Sequence, residues 1–252
     1  MKKIVKVLAL AAMLVMGGQA LAQTRGAMFL SAAFPLKDYA EFDSFDDFAL
    51  TSIDLDDDEA GAGIGFNVGL KWYFNVGVKG LGVMLSVDGF YNGPNSDLKT
   101  AYRKNEAYFG GQFVGTGLEY RATPKYINVP VMVGGNYIFH LNPNFGIYVE
   151  AGAGGNVRFI TDMEYVTKTH IGNFEANTKL TNDYDAAFSF AYQVGAGIEV
   201  AKNLVIGCSF YDLGKADVKG ERIVKGTTNS YTPETWGEVH PMMILARIGF
   251  SF

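Results

Sequence analysis

The sequence predicts an all-β fold, an eight-stranded antiparallel up-and-down transmembrane β-barrel. Eight segments alternate bulky apolar residues with small or polar ones at a period of two, which indicates strands with two unlike faces. The connections between these segments alternate between short and long. The less apolar face carries few charges, so it is poorly suited to a solvated exterior.

The last segment shows the period most clearly. All its even-numbered positions from Met242 to Phe252 are apolar, whereas its other face includes Arg247, Gly249 and Ser251. In the first segment the pattern does not assign the two faces. The eight predicted strands span residues 25–34, 61–75, 81–91, 125–139, 145–159, 185–200, 204–214 and 241–252.

The connections predict the topology. Three are short and predict hairpin turns, at 76–80, 140–144 and 201–203. The other four are about 24 residues or longer, carry most of the charge and span about 35–60, 92–124, 160–184 and 215–239. Short turns at one end and long external loops at the other, with an even strand count, are typical of outer-membrane barrels. Such loops are uncommon in a compact soluble domain.

The composition of the two faces decides what surrounds the barrel. A soluble eight-stranded barrel, such as a lipocalin-type binder, or a soluble sandwich would need a hydrated exterior rich in charged residues. Here the second face consists mainly of glycine, alanine, serine and asparagine. Such residues suit the interior of a narrow barrel, which side chains can fill. We therefore expect the apolar face to contact lipid. Closure of the barrel would pair the backbone hydrogen-bonding groups that an open sheet leaves unpaired at its edges.

Five charged residues support this assignment, because all lie on the small-residue face of their strands: Lys71, Asp88, Glu150, Glu199 and Arg247. A register shift of one residue would place Arg247 in lipid, at a free-energy cost of about 2–4 kcal/mol near the midplane. We expect the five to form a lumen charge network, paired with one another or with trapped water. We favour a structural plug for this network. The alternative is an ion path or a proton relay.

Aromatic residues lie where the membrane interfaces should be. The predicted girdle at the short-turn end comprises Trp72, Phe74, Tyr137, Phe139, Phe145 and Phe252. At the opposite end the aromatic residues are Tyr91, Phe159, Phe188 and Tyr211.

Two residues fit the strand pattern poorly. Asp212 shares its face with Phe210, so it must lie beyond the membrane or follow a bulge, and Pro130 removes a ladder hydrogen bond.

The first 22 residues have the layout of a cleaved signal peptide. Lys2, Lys3 and Lys6 precede ten apolar residues, too few to span a bilayer, and a small-residue triplet follows at 20–22. Residues 23–252 would form the barrel. Losing the three lysines moves the formal net charge from −5 to −8, which argues against nucleic-acid binding. The single cysteine, Cys208, excludes an intramolecular disulfide.

Catalytic motifs are scarce, and we expect neither an enzyme nor a cofactor. Barrel enzymes need a histidine beside a serine or carboxylate at the loop-side rim. His140 lies in a short turn and His170 in a long loop, so His240 with Glu238 is the best candidate pair.

The first long connection is strongly acidic, with ten acids and no base at residues 38–59. Asp54, Asp56 and Asp58 resemble the start of a calcium loop, but Glu59 occupies the position that requires glycine. We expect no defined metal site. Loose binding of divalent cations is an alternative to a simple solvated loop.

Three stretches carry a family resemblance. GFNVGLKWYF at 65–74 and YINVPVMV at 126–133 resemble the second and fourth strands of the PorT-like outer-membrane β-barrel family. The ending with Ile248, Phe250 and Phe252 resembles the signal that the barrel-assembly machinery recognises. The resemblance implies an integral outer-membrane protein of a Gram-negative-type bacterium but no single activity, because the family includes a secretion-associated member.

Together these features predict a barrel with a plugged lumen that acts through its external loops. The expected role is interaction, envelope structure or assistance to secretion. The expected partners are outer-membrane lipid and lipopolysaccharide, the barrel-assembly machinery and an unknown protein at the loops. The alternatives are a small-solute pore and an enzyme acting on lipid A.

Overall fold

Eight antiparallel strands close into a barrel, so the predicted fold class is confirmed. The computed structural model describes residues 24–41, 60–99, 109–110, 114–171, 174–201, 203–225 and 230–252. The predicted signal peptide therefore lies outside the described residues. The strands are β1 (Thr24–Leu36), β2 (Gly65–Asn75), β3 (Leu81–Asn92), β4 (Phe109–Gly110), β5 (Val114–Ala122), β6 (Tyr126–Asn142), β7 (Phe145–Ile160), β8 (Met163–Ile171), β9 (Phe174–Tyr184), β10 (Ala187–Val200), β11 (Leu204–Asp212), β12 (Ala216–Lys225), β13 (Ser230–Val239) and β14 (Met242–Ser251).

The barrel wall has the order β1-β14-β11-β10-β7-β6-β3-β2 and returns to β1. Each wall strand corresponds to one predicted segment, and most boundaries differ by two residues or fewer. The largest difference is in β2, which begins at Gly65 instead of 61. Within the described residues, no helix has the length and hydrophobicity needed to cross a bilayer.

The register places the apolar face outside. Along β14, Ile248 is 51% exposed and Phe250 60%, whereas Arg247, which precedes Ile248, is 3% exposed. The pairing of β1 with β14 sets Ser31 opposite Arg247, which assigns the faces of β1 that the sequence pattern left open. Phe29 therefore lies inside the barrel.

The short turns follow from local hydrogen bonds and glycine. Gly77 and Gly80 have positive φ angles in the turn between β2 and β3, and the Gly77 amide donates to Asn75 Oδ1 at 2.8 Å. The turn predicted at 140–144 is shorter than expected, because β6 continues to Asn142 through a bulge after His140.

Three of the four long connections contain strands that the sequence analysis did not assign. They form a second sheet in the order β13-β12-β9-β8-β5-β4. Each pair arises between two neighbouring wall strands, so the second sheet repeats the lateral order of six wall strands beyond the long-loop end of the barrel. The remaining connection, between β1 and β2, begins with a 3₁₀ turn at Lys37–Tyr39.

The two residues that fitted the pattern poorly occupy explicable positions. Pro130 faces the interior where the ladder between β3 and β6 is interrupted between the pairs Val87–Val131 and Phe90–Asn128. The strand register is the same before and after this interruption. The missing proline N–H therefore removes a local ladder hydrogen bond but does not shift the register. Asp212 is the last residue of β11 and follows no bulge, so it lies at the long-loop end.

Candidate functional site in the barrel interior

The middle of the barrel contains an ionic cluster contributed by three strands. Lys71 on β2 and Arg247 on β14 both contact Glu150 Oε1 on β7, at 2.5 and 2.7 Å. Lys71 Nζ also donates to Gln193 Oε1 at 3.1 Å. All four side chains are buried. The structure therefore brings together three of the five charged residues named from the sequence.

Asp88 completes the charge balance of this layer and forms no salt bridge with another described residue. Its carboxylate accepts hydrogen bonds from Asn67 Nδ2 at 3.3 Å and from the Tyr211 hydroxyl at 3.2 Å. Arg247 Nη2 donates to the same hydroxyl at 3.3 Å. Two cations and two carboxylates thus form a neutral set, and removing one partner of such a buried pair typically costs about 3–5 kcal/mol.

Glu199 lies apart from the other four charged residues. It accepts a hydrogen bond from Arg25 at 2.7 Å near the short-turn end, where Arg25 also donates to Ser251 Oγ at 2.9 Å. The expected single network is therefore divided into two clusters. Arg25 was missed because the faces of β1 could not be assigned from the sequence.

Arg158 is a second buried cation that the sequence analysis missed. Its Nε donates to Asn128 Oδ1 at 3.1 Å, and its two terminal nitrogens donate to the Val239 and Gly214 carbonyls. Since Arg158 has the same parity in β7 as Glu150, the alternation could have identified it. No salt bridge to Arg158 is found in the part of the chain that the structure describes. The guanidinium joins the wall to the link that follows β11 and to the end of β13.

Apolar layers lie on both sides of the ionic layer. Toward the short turns, Phe29 packs with a small cluster that includes Tyr148 and Val205. The Arg247 guanidinium lies 5.1 Å from the centre of the Phe29 ring, within cation–π range. Toward the long loops, a larger cluster includes the buried residues Tyr39, Ala60, Phe90, Tyr126, Met132, Tyr211, Leu213, Val239, Met243 and Leu245.

Interior glycines make room for these large side chains. A Cβ at Gly249 would lie 2.5 Å from Cδ1 of Phe29, and one at Gly195 would overlap Ser209 Oγ. On the glycine-rich face, space left by one strand is therefore occupied by side chains from its neighbours.

The base of the first long connection closes over the long-loop end. Tyr39 donates to Asn92 Oδ1 at 3.4 Å, and Tyr126 donates to the Ala60 carbonyl at 2.5 Å. The Ala62 amide donates to the Tyr39 carbonyl at 2.8 Å, which ties the two ends of the connection together. The acidic residues Asp54, Asp56, Asp58 and Glu59 lie outside the described residues.

The histidine pair expected from the sequence does not form. His240 Nε2 lies 2.8 Å from Asp212 Oδ1, and the Tyr192 hydroxyl donates to Asp212 Oδ2 at 2.8 Å. Glu238 instead contacts Lys215 at 3.3 Å. Among the described residues, no serine, threonine or cysteine side chain hydrogen-bonds to His240, so this group has a carboxylate that orients an imidazole and no nucleophile. The side chain of His170 lies outside the described residues.

The residues predicted to form the aromatic girdle are on the outward face, but their exposure differs. Phe139 and Phe252 are exposed, Phe74, Tyr137 and Phe145 are partly buried, and Trp72 is buried. Phe252 follows β14 and exchanges two backbone hydrogen bonds of 2.9 Å with Gly26. Ile248 and Phe250, named with it as an assembly signal, are exposed on the outward face.

The second sheet differs from the wall in the polarity of its outward face. Its outward face carries cross-strand ion pairs, Lys168 with Glu119 at 2.5 Å and Lys179 with Glu164 at 2.8 Å. The hydrogen bond from Lys168 lowers the pKa of Glu119, and the hydrogen bond from Lys219 lowers the pKa of Asp217. The opposite face includes directly paired Tyr165 and Leu180, followed by Val224 on β12.

Comparison with known proteins assigns the family. Residues 8–237 match the family described as Outer membrane protein beta-barrel domain. No curated protein matches the sequence of the chain.

Among solved structures, the chain is similar to Ail, the attachment invasion locus protein of Yersinia pestis, with 14% identity, 92% of this chain and 100% of that chain covered, and a TM-score of 0.37. It is similar to OprG from Pseudomonas aeruginosa, with 12% identity, coverage of 91% and 94%, and a TM-score of 0.38. It is also similar to Neisserial surface protein A, with 12% identity, 91% of this chain and 96% of that chain covered, and a TM-score of 0.34.

The family match covers most of the chain and seven of the eight wall strands, and β14 closes the barrel. The chain therefore belongs to the outer membrane protein beta-barrel domain family and is an integral β-barrel protein of the outer membrane of a Gram-negative-type bacterium.

Proposed function

We propose that the protein is a sealed membrane anchor that acts through the sheet and loops at its long-loop end. The role would be interaction, envelope structure or assistance to secretion, with the long-loop end outside the cell and the short turns in the periplasm. The observation that carries the proposal is the occupied interior. A neutral ionic layer built on Lys71, Glu150 and Arg247 lies between two apolar layers.

The occupied interior is the reason to prefer an anchor over a small-solute pore. A solute crossing the barrel would have to separate Glu150 from Lys71 or Arg247, and each separated charge would remain buried. Such separation is strongly unfavourable in a low-dielectric interior. It would also have to displace Tyr39 and Ala60, which lie buried across the long-loop end.

The rim chemistry favours a non-enzymatic role. The Tyr192–Asp212–His240 group resembles the orienting part of a catalytic triad, but it has no nucleophile among the described residues. A lipid A enzyme would need one within hydrogen-bond reach of the imidazole.

The second sheet is the part proposed to meet a protein partner, because it extends beyond the membrane wall and presents charged side chains. Lipopolysaccharide is the proposed lipid partner at the long-loop end. The acidic first connection would be solvated, with loose binding of divalent cations as its alternative role.

For biogenesis, we propose that residues 1–22 are removed on export and that the barrel-assembly machinery recognises Ile248, Phe250 and Phe252. The outward exposure of the first two supports access from the membrane side. Within the family, we place the chain in the PorT-like group on the strand motifs at 65–74 and 126–133. The girdle residues would hold the barrel at the membrane interface.

Two experiments test the proposed function. Planar-bilayer recordings of the purified barrel should show no steady open-channel conductance, and a stable conductance would favour the pore. A deletion strain should be complemented by the full protein but not by a variant whose β8–β9 hairpin is replaced by a short turn, as judged by secretion, adhesion and envelope integrity. Full complementation by that variant would contradict a role for the second sheet, and an altered lipid A mass spectrum on expression would favour an enzyme.

A further inference from the structure

A pocket of about 580 Å³ opens at the short-turn end of the barrel. It lies between the turns and the first residues of the wall, away from the ionic layer and from the second sheet. A volume of this size is within the range of small-ligand sites. The side chains that matter for its chemistry are those of Arg25, Lys79, His140, Asn144, Phe145 and Glu199.

The walls of this pocket are tied together by hydrogen bonds between different turns. The Ile138 amide donates to the Gly80 carbonyl at 2.8 Å, which holds the β2–β3 turn against the end of β6. The Ala201 amide donates to the Asn144 carbonyl at 2.7 Å, which joins the β10–β11 and β6–β7 turns. The backbone around the pocket is therefore pre-organised by contacts that do not depend on a ligand.

The charges that line the pocket are unbalanced. Glu199 is its acidic residue, and the Arg25 guanidinium contacts it at 2.7 Å. Lys79 and His140 also line the pocket, and neither has a hydrogen-bond or ion-pair partner among the described residues. Once Arg25 and Glu199 have neutralised each other, Lys79 gives the pocket a positive potential, and His140 adds ring nitrogens that can contact a ligand.

We infer that this pocket binds a phosphate group, with Lys79 and His140 as the residues that contact it. Lysine suits phosphate as a point charge, and the Asn144 side chain adds an amide donor. Phe145 is on the lipid-facing side of β7, so the pocket lies between the lumen mouth and the membrane surface.

The favoured source of the phosphate is therefore the headgroup of an anionic phospholipid. Assigning that lipid to the periplasmic leaflet rests on the proposed orientation, whereas the phosphate site itself does not.

The test uses the purified full barrel and two probes. Native mass spectrometry in detergent with short-chain phosphatidylglycerol should show one retained lipid per barrel. Phosphorus NMR titration with inorganic phosphate tests the headgroup chemistry without acyl chains. Replacing both side chains, Lys79→Ala with His140→Ala, should weaken retention about tenfold, which corresponds to about 1.4 kcal/mol of binding free energy. Lys37→Ala is the matched control, an exposed lysine at the opposite end.

The outcomes separate the possible sources. Lipid retention that falls in the double variant and persists in the control supports a lipid headgroup. Phosphate binding with the same variant dependence but without lipid retention supports the phosphate site and assigns it to soluble phosphates. Equal behaviour of the wild type and the double variant with both probes overturns the inference. Because neither probe reports conductance or complementation, this failure is distinct from failure of the proposed function.

Discussion

The barrel wall and the second sheet are both antiparallel and lie in the same lateral order, yet the polarity of their outward faces is inverted. In the wall, Ile248 and Phe250 face outward and Arg247 faces inward. In the second sheet, the outward face carries Lys168 and Glu119, and Tyr165 lies on the opposite face. The medium outside each region accounts for the difference, because lipid solvates hydrocarbon whereas water solvates charge. A strand pattern therefore identifies a face only when the surrounding medium is known.

Removing the charge of Glu150 should have the largest effect on the wall. Glu150→Gln keeps the volume but leaves Lys71 and Arg247 buried beside a neutral amide. We expect a loss of about 3–5 kcal/mol in the free energy of unfolding, because uncompensated buried charge is strongly unfavourable. Urea titration of the barrel in lipid vesicles, followed by the heat-modifiable gel shift, measures it.

Glu221→Gln on the second sheet is the control, since Glu221 is exposed. Its effect should stay within about 0.5 kcal/mol. Equal losses in the two variants would remove the distinction between the regions.

The inversion itself can be tested by placing the same charge in both regions. Ala246→Arg puts a guanidinium on the lipid-facing side of β14, at a cost of about 2–4 kcal/mol near the midplane. Ile223→Arg adds the same group beside exposed Glu221 and Lys225 on the second sheet and should cost less than about 0.5 kcal/mol. The same urea titration compares them. A tolerated Ala246→Arg would place that face in water.

Overpacking of the interior should have an intermediate effect. In Gly249→Ala the new methyl group meets the Phe29 ring, so we expect a loss of about 1–3 kcal/mol. Gly93→Ala is the matched control, because no atom lies within 4 Å of a Cβ at that position. If the second change Phe29→Leu fails to recover part of the loss, the clash is not its cause.

The smallest expected effect is a pH response confined to the second sheet. The pKa values of Glu119 and Asp217 are lowered by their lysine partners, so their ion pairs stabilise the folded sheet above the ordinary carboxyl pKa of about 4. That stabilisation is lost as the pH falls through the lowered folded-state values. Limited proteolysis at pH 7 and pH 3 should show faster cleavage in the second sheet at pH 3.

Asp217 is exposed and the Glu119 side chain is 40% exposed, so the pH effect should be modest and reduced by salt. In the double variant Lys168→Gln with Lys219→Gln, cleavage at the two pH values should differ less than in the wild type. An unchanged difference would assign the pH response to other groups.

The wall could be predicted from the sequence because lipid imposes one rule on every strand. Each lipid-facing position must be apolar, so the period of two is clear in seven of the eight wall strands, as for Arg247 and Ile248 in β14. In β1 the inward-facing Phe29 beside Leu30 obscures it. The strands of the second sheet were missed because water imposes no such rule. In β8, Glu164 and Val166 share a face, which hides the alternation.

The candidate site was predictable only in part. Parity identified Lys71, Glu150 and Arg247 as interior residues, and the same rule applied to β7 would have added Arg158. The stagger of the barrel strands decides which carboxylate lies next to which cation, and this stagger cannot be derived from spacing along the sequence. For this reason the partner of Glu199 could not be derived.

The central claim is that bulky side chains contact lipid and the interior is filled, and site-directed spin labelling tests it most directly. Cys208 is the sole cysteine and is exposed on the outward face of β11, so it can be labelled without substitution. Ser209 beside it is buried inside, and Cys208→Ser with Ser209→Cys moves the label inward. In bilayers, the label at Cys208 should be accessible to oxygen and not to a water-soluble nickel complex, and the label at position 209 should be shielded from both. A label at Cys208 that meets the nickel complex, or one at 209 that meets lipid-dissolved oxygen freely, would contradict the account.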